Sequence, residues 1–485
     1  MEQTQPTLSA DQNSVATQPP TPESPSSKKR ALFDSPTEEE PVNKKVKESP
    51  ITSSEPKAEA IASMFPSPAD YPATQHDKET WQGFCDIESE PAYFSVILRE
   101  MGVKDVTVRE VFSMSPDYLA DLPQPIYGLI LLFRYREFGS EDQADECPND
   151  VWFANQLPAQ NSCGTLAMLN ILMNSPDITV GEHLQQFKEF TSSFTPFQRG
   201  EALASFDFVK KIHNSFAKKM DLLENDKHLA YKVKRAQRQK ELDFETKSKS
   251  KSKSTSKFRS RRDSADSAAT DDSAASFEEN AHHFIAFVPF GNEVYKLDGM
   301  DRQPTSIGSF APEVGQTWLD GASDTIATLM AAGDDDYGVV ALIQSPLAPL
   351  RKKACLTVNT LARVESRLDS LDSSWRESVT DDQEPTSPRL LGIEALLPDH
   401  PVLASLAATI NGEALHGLLS RRGGLVAVLS DVASRMMEDM AQEAAEDEKA
   451  RQRRFDGGPV VKKWLEMLAA NQYLEANLKR FIKSS

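Results

Sequence analysis

The chain has 485 residues, with 54 Lys or Arg against 73 Asp or Glu, a formal charge of -19. That length suits two or three domains. The 39% hydrophobic fraction falls below the roughly 45% of a compact globular chain, so part of the length is expected not to fold alone. Four scattered cysteines with no CxxC pair exclude a disulfide-stapled scaffold and a cysteine zinc site. The N-terminus is polar and no apolar run reaches the ~20 residues of a membrane helix, so no signal peptide and no membrane partner are expected. An acidic, soluble, intracellular protein follows.

Residues 1–77 are rich in Pro, Ser, Thr, Glu and Lys and poor in aromatics. Such a segment buries too little apolar surface to offset its ordering entropy, so a disordered tail is expected. It carries Thr21-Pro22, Ser24-Pro25, Ser35-Pro36 and Ser49-Pro50, which suit proline-directed kinases. Two basic clusters, Lys28-Lys29-Arg30 and Lys44-Lys45-Val46-Lys47, are separated by 13 residues. This spacing suits a bipartite signal read by a nuclear import receptor, which implies a location in both nucleus and cytoplasm.

The composition changes at Trp81, and 78–346 reads as a folded domain. The stretch 91–101 predicts a helix, with Pro91 in its first turn and Phe94, Ile97, Leu98 and Met101 apolar. The run 127–135 is a continuous apolar strand with both faces covered. After an acidic loop, 137–150, the chain enters a loop containing Gln156 and then a helix pattern from Cys163 to Met173. Further helical segments reach about Gln239. Between 247 and 276 the composition is low in complexity, with eight Lys/Arg alternating with Ser up to Arg262. A long disordered insert is expected there, able to attract an acidic partner or, more weakly, nucleic acid. Residues 282–289 and 293–298 predict a hairpin turning at Gly291-Asn292. A helix over 318–332 and a strand over 337–343 follow.

Residues 347–485 read as a helical extension. The region 373–388 is a polar linker within it. An amphipathic helix is expected over 460–482, its surface built from Trp464, Leu465, Leu468, Tyr473, Leu474, Leu478 and Phe481. A short tail of this kind needs a partner to bury that surface.

Four residues converge on thiol chemistry. Cys163 stands where a loop ends and a helix begins, and free N–H groups with the positive dipole end stabilise a thiolate. Gly164 is expected to remove bulk beside the sulfur. His283 opens one strand of the hairpin and Asp298 closes the other, so pairing brings a base and its orienter together. Gln156 precedes the cysteine helix and can donate to an oxyanion. Taken singly, each has a simpler account: a small buried thiol, a strand histidine, a turn aspartate and a polar loop residue.

Together with the blocks Ile87-Glu-Ser-Glu-Pro91, Phe153-Ala-Asn-Gln156, Asn161-Ser-Cys-Gly-Thr165, His283-Phe-Ile-Ala-Phe-Val288 and Leu297-Asp-Gly299, the order Gln–Cys–His–Asp resembles the ubiquitin C-terminal hydrolases. The likeness covers about 80–345. It implies a papain-like α+β fold, a central antiparallel sheet flanked by helices. By that match Cys163 is the nucleophile, His283 rather than His282 the base, and Asp298 its orienter. The family's oxyanion glutamine usually lies six residues before the cysteine. Gln156 lies seven before, across Pro158, and Gln160 is its rival. The resemblance places the 247–276 insert on the loop crossing the active-site groove, where a long loop admits larger leaving groups. It also likens the extension to that of long family members. There a helical activator docks, from a proteasomal ubiquitin receptor or a chromatin-associated cofactor.

The expected reaction is hydrolysis after the terminal glycine of ubiquitin, on ubiquitin or its conjugates, with no metal or organic cofactor. The rivals are a non-catalytic ubiquitin-binding scaffold and a general cysteine peptidase or transferase.

Overall fold

The computed structural model describes residues 67–134, 147–148, 150–157, 161–227, isolated positions from 230 to 237, and 282–332, 337–378 and 384–481. The bipartite clusters, most of the acidic loop, Gln160 and the 247–276 insert lie outside the described residues.

Among the described residues, six strands form one antiparallel sheet in the order β1-β6-β2-β3-β4-β5. They are β1 (Val106–Glu110), β2 (Ile126–Arg134), β3 (His282–Phe290), β4 (Glu293–Leu297), β5 (Thr305–Ser309) and β6 (Tyr337–Gln344). Alternation along the central strands feeds two cores. Ile130, Phe284, Ala286 and Val288 face one core, shared with the helices Pro91–Glu100 and Cys163–Asn174. Leu129, Leu131, Ile285 and Phe287 face the other, covered by the helix Trp318–Ala332. Helices therefore cover both faces, which is why β2 and β3 read as unbroken apolar runs. The described fold is α+β. β1, β5 and the short helix Pro116–Asp121 were not legible, being five or six residues long with mixed polarity.

The folded region begins earlier than expected. Residues 67–77, assigned above to the tail, form a 3-10 turn, Pro68–Asp70, and the start of a helix, Gln75–Thr80. Each has a capping box, Ser67 with Asp70 and Thr74 with Asp77, which satisfies its free N–H groups. The arm is tied to the domain through Lys78 Nζ, which donates to Ser215 O at 2.9 Å, and through Lys219 and Asp77, 3.1 Å apart. Polar composition hid these ties, because capping and backbone bonds need no apolar residues.

The extension is a hairpin of two long helices, Leu347–Leu371 and Leu415–Arg454. Ala354, Cys355, Leu429, Val432 and Met436 pack between them. The linker region 373–388 is not wholly extended: Trp375 is 2% exposed and packs on Val364, Leu368, Ile410 and Leu418. The helix expected over 460–482 is two helices, Gly458–Ala470 and Tyr473–Phe481. Gln472 between them has φ 59, which stops the first. The hairpin's far end lies on the helix Pro91–Glu100. Arg99 pairs with Glu446 at 2.8 Å and Asp447 at 2.6 Å, and Arg454 with Glu100 at 2.7 Å.

Candidate active site

The helix Cys163–Asn174 is buried from Gly164 onward, which accounts for its apolar residues on every side. Cys163 is its first residue and is half-buried. Ser162 makes no side-chain cap, and N–H groups in a first turn have no partner within the helix. A Cβ on Gly164 would make ordinary van der Waals contact with the rings of Phe94 at 3.4 Å and Phe284 at 3.6 Å.

His283 and Asp298 are each 4% exposed. His283 Nε2 donates to Asp298 Oδ1 at 2.6 Å. Both residues lie beyond the last rung of the hairpin ladder, which is Ala286 with Leu297. Asp298 leaves β4 into a tight turn in which the N–H of Asp301 donates to the Asp298 carbonyl at 3.0 Å. The N–H of Met300 donates to Asp298 Oδ1 at 2.9 Å, so the turn itself orients the carboxylate. The imidazole of His283 also hydrogen-bonds Cys163. With Nε2 given to Asp298, Nδ1 is the nitrogen left for the sulfur. His282 is exposed at the end of β3.

Burial pushes His283 toward the neutral form, but its hydrogen bonds to Asp298 and Cys163 outweigh that and raise its pKa to about 9. Burial likewise opposes the charge on Asp298, and the bond to His283 nonetheless holds its carboxyl below the usual range. An imidazolium beside a sulfur is the setting in which a thiolate nucleophile persists. Burial raises the thiol pKa of Cys85, Cys147 and Cys355.

Gln156 is half-buried, in a segment that is neither helix nor strand. Its N–H donates to the Gly299 carbonyl at 2.9 Å, in the turn that carries Asp298. The structure thus brings Cys163, His283 and Asp298 into bonded contact and ties the Gln156 backbone to the Asp298 turn.

Several supporting residues were missed from the sequence. Asn174 Oδ1 accepts from Trp152 N at 2.9 Å, and its Nδ2 donates to Trp152 O at 2.7 Å. Asn170 Oδ1 accepts from Ala154 N at 3.2 Å. These two asparagines, four apart on the cysteine helix, align the 151–156 segment. Two asparagines inside an otherwise apolar helix were the available signal, since buried amides demand partners. On the other side, buried Arg199 donates through Nη1 to the carbonyls of Val151 at 3.4 Å and Phe153 at 3.3 Å. Burial drives His213 down to about 4, so it is neutral near pH 7. Its Nε2 donates to the Cys85 carbonyl at 2.8 Å, and its Nδ1 therefore accepts from Thr165 at 2.8 Å. A second buried histidine thus holds the cysteine helix in place.

Residues 84–331 match the family model described as ubiquitin carboxyl-terminal hydrolase, family 1 (peptidase C12). Among curated proteins, the chain is 29% identical over 296 residues to ubiquitin carboxyl-terminal hydrolase isozyme L5 of Dictyostelium discoideum, covering 60% of this chain and 71% of that protein. It is 27% identical over 257 residues to ubiquitin carboxyl-terminal hydrolase BAP1 of Xenopus tropicalis, covering 50% of this chain and 30% of that one. Among solved structures, the Trichinella spiralis UCH37 catalytic domain bound to ubiquitin vinyl methyl ester is 24% identical, with a TM-score of 0.38 over 54% of this chain and 96% of that chain.

Proposed function

The chain belongs to ubiquitin carboxyl-terminal hydrolase family 1, a family of cysteine peptidases, and on that premise we propose that Cys163, His283, Asp298 and Gln156 carry out its hydrolysis. The substrate is ubiquitin joined at its C-terminal glycine to an amine. The Cys163 sulfur attacks the glycine carbonyl carbon, and the carbonyl oxygen takes up the negative charge. Gln156 and first-turn N–H groups of the cysteine helix stabilise that oxyanion. The imidazolium of His283 gives its proton to the leaving amine, the C–N bond breaks, and a thioester to Cys163 remains. Neutral His283 then takes a proton from water, whose oxygen displaces the sulfur. Asp298 holds the ring through both steps.

The observation that carries this reading is the buried His283–Asp298 bond of 2.6 Å with Cys163 bonded on the imidazole's other side. Its test is purified protein with ubiquitin bearing a C-terminal electrophile. A covalent adduct is expected with the wild type and none with Cys163→Ala. A wild type that binds ubiquitin without forming an adduct, with or without an added partner, supports a non-catalytic scaffold instead. The proposal extends to regulation. Val460, Val461, Trp464, Leu465 and Met467 are exposed on the helix Gly458–Ala470, a surface suited to a helical activator from a proteasomal receptor or a chromatin complex. Nuclear entry through the two basic clusters of 28–47 is part of the same proposal and rests on their spacing.

A further inference from the structure

We propose that Asn155 is the positioning residue for Gln156, a role that rests on the oxyanion reading of Gln156 above. A donor on a helix or strand is held by a backbone ladder. Gln156 sits on neither, and Pro158 follows two residues later, so its placement depends on local tethers. Asn155 supplies several. Its Nδ2 donates to Asp301 O at 2.5 Å and lies 3.5 Å from Gly299 O. Its own N–H donates to Pro196 O at 3.0 Å. Its carbonyl is packed so closely on Gly200 that a Cβ there would lie 2.3 Å from the oxygen. Adjacent to these, the Gln156 N–H donates to Gly299 O at 2.9 Å.

The turn 298–301 therefore does two things. Its side-chain carboxylate at Asp298 orients His283, and its carbonyls at 299 and 301 anchor the segment that carries Gln156. Asn155 joins the two halves, so the oxyanion donor and the His283–Asp298 pair keep one fixed separation. A rigid separation matters because a displaced donor stabilises the transition state poorly while leaving substrate binding intact.

The test is steady-state hydrolysis of a fluorogenic ubiquitin C-terminal amide by the full chain. Gln156→Ala is expected to lower kcat about 100- to 1,000-fold, the usual cost of one oxyanion donor. Asn155→Ala is expected to lower kcat at least about tenfold with KM within about twofold, as for an interaction felt only in the transition state. In the Gln156→Ala background it is expected to cost nothing more, because its effect runs through Gln156. Alkylation of Cys163 by iodoacetamide, read by peptide mass, develops no oxyanion, so Asn155→Ala is expected to leave that rate unchanged. Asn155→Asp keeps the size of the side chain and turns a donor into an acceptor facing two carbonyls, and it serves if the alanine variant does not fold. Unchanged kcat in Asn155→Ala and Asn155→Asp overturns the inference, as does full multiplicativity with Gln156→Ala or a parallel fall in alkylation. Unchanged kcat in Gln156→Ala overturns the oxyanion reading itself, and the inference with it.

Discussion

A Cβ on Gly299 would lie 2.6 Å from Cδ2 of Leu166 and 3.1 Å from the Gln156 Cβ. The turn that orients His283 is therefore seated directly on the cysteine helix. Gly299→Ala is expected to destabilise the protein by about 1–3 kcal/mol through overpacking. It is also expected to lower turnover beyond that loss, because the turn must shift and Asp298 shifts with it. Thermal unfolding alongside adduct formation with a ubiquitin electrophile separates the two effects. Unchanged values of both would remove the turn's seating as a constraint on the site.

The buried pair makes stability depend on pH in a stated direction. The pKa of His283 rises from an ordinary 6.5 to about 9. Its contribution is fully present below 6.5 and is lost as pH rises through about 9. The pKa of Asp298 lies below its ordinary 3.8, so its contribution is present above that value and is lost as pH falls through its lowered pKa. The thermal advantage of wild type over Asp298→Ala is therefore expected to be largest near pH 4–6.5 and to shrink toward pH 9 and beyond. An advantage that grows across alkaline pH would contradict the assignment of the raised pKa to His283.

Asp456 joins three parts of the chain. Its Oδ2 accepts from Ala73 N at 2.9 Å and Lys219 N at 2.8 Å, and its Oδ1 from Gly458 N at 3.1 Å. Asp456→Ala is expected to cost about 1–3 kcal/mol, since three backbone donors lose an acceptor. Hydrogen exchange is expected to quicken at Ala73 and Lys219, while Asp456→Asn, which keeps one side-chain oxygen as an acceptor, recovers part of the protection. Exchange confined to Gly458 alone would show that the arm is held by other contacts.

Trp464 is 59% exposed on a helix with no buried residue. Trp464→Glu is expected to change folding stability by less than about 0.5 kcal/mol, as surface substitutions generally do. It is also expected to leave the hydrolysis rate of the isolated enzyme unchanged while removing the proposed helical activator from the protein isolated from cells. Retention of that activator would move its binding site elsewhere on the extension.

The elements with long regular patterns were legible in the sequence. The helices at Pro91 and Cys163, the strand at 126–134, the hairpin around Gly291 and the helix Trp318–Ala332 all came from periodicity and turn residues. Cys163, His283, Asp298 and Gln156 came from residue type, order and a likeness to a family. What periodicity does not encode is which polar groups meet. The Asn170 and Asn174 bonds to the 152–154 backbone, the Thr165–His213 contact and the Asn155 tether join residues from 16 to 146 positions apart. Each is directional and short, and only packing brings its partners within reach. The same holds for the arm at 67–77, whose polar composition resembles a tail until Asp456 and Lys219 are folded against it. Sequence alone thus determined the chemistry available and the elements that carry it. Tertiary structure decided the pairing and protonation of His283 and Asp298, because both depend on burial and on hydrogen bonds between distant parts of the chain.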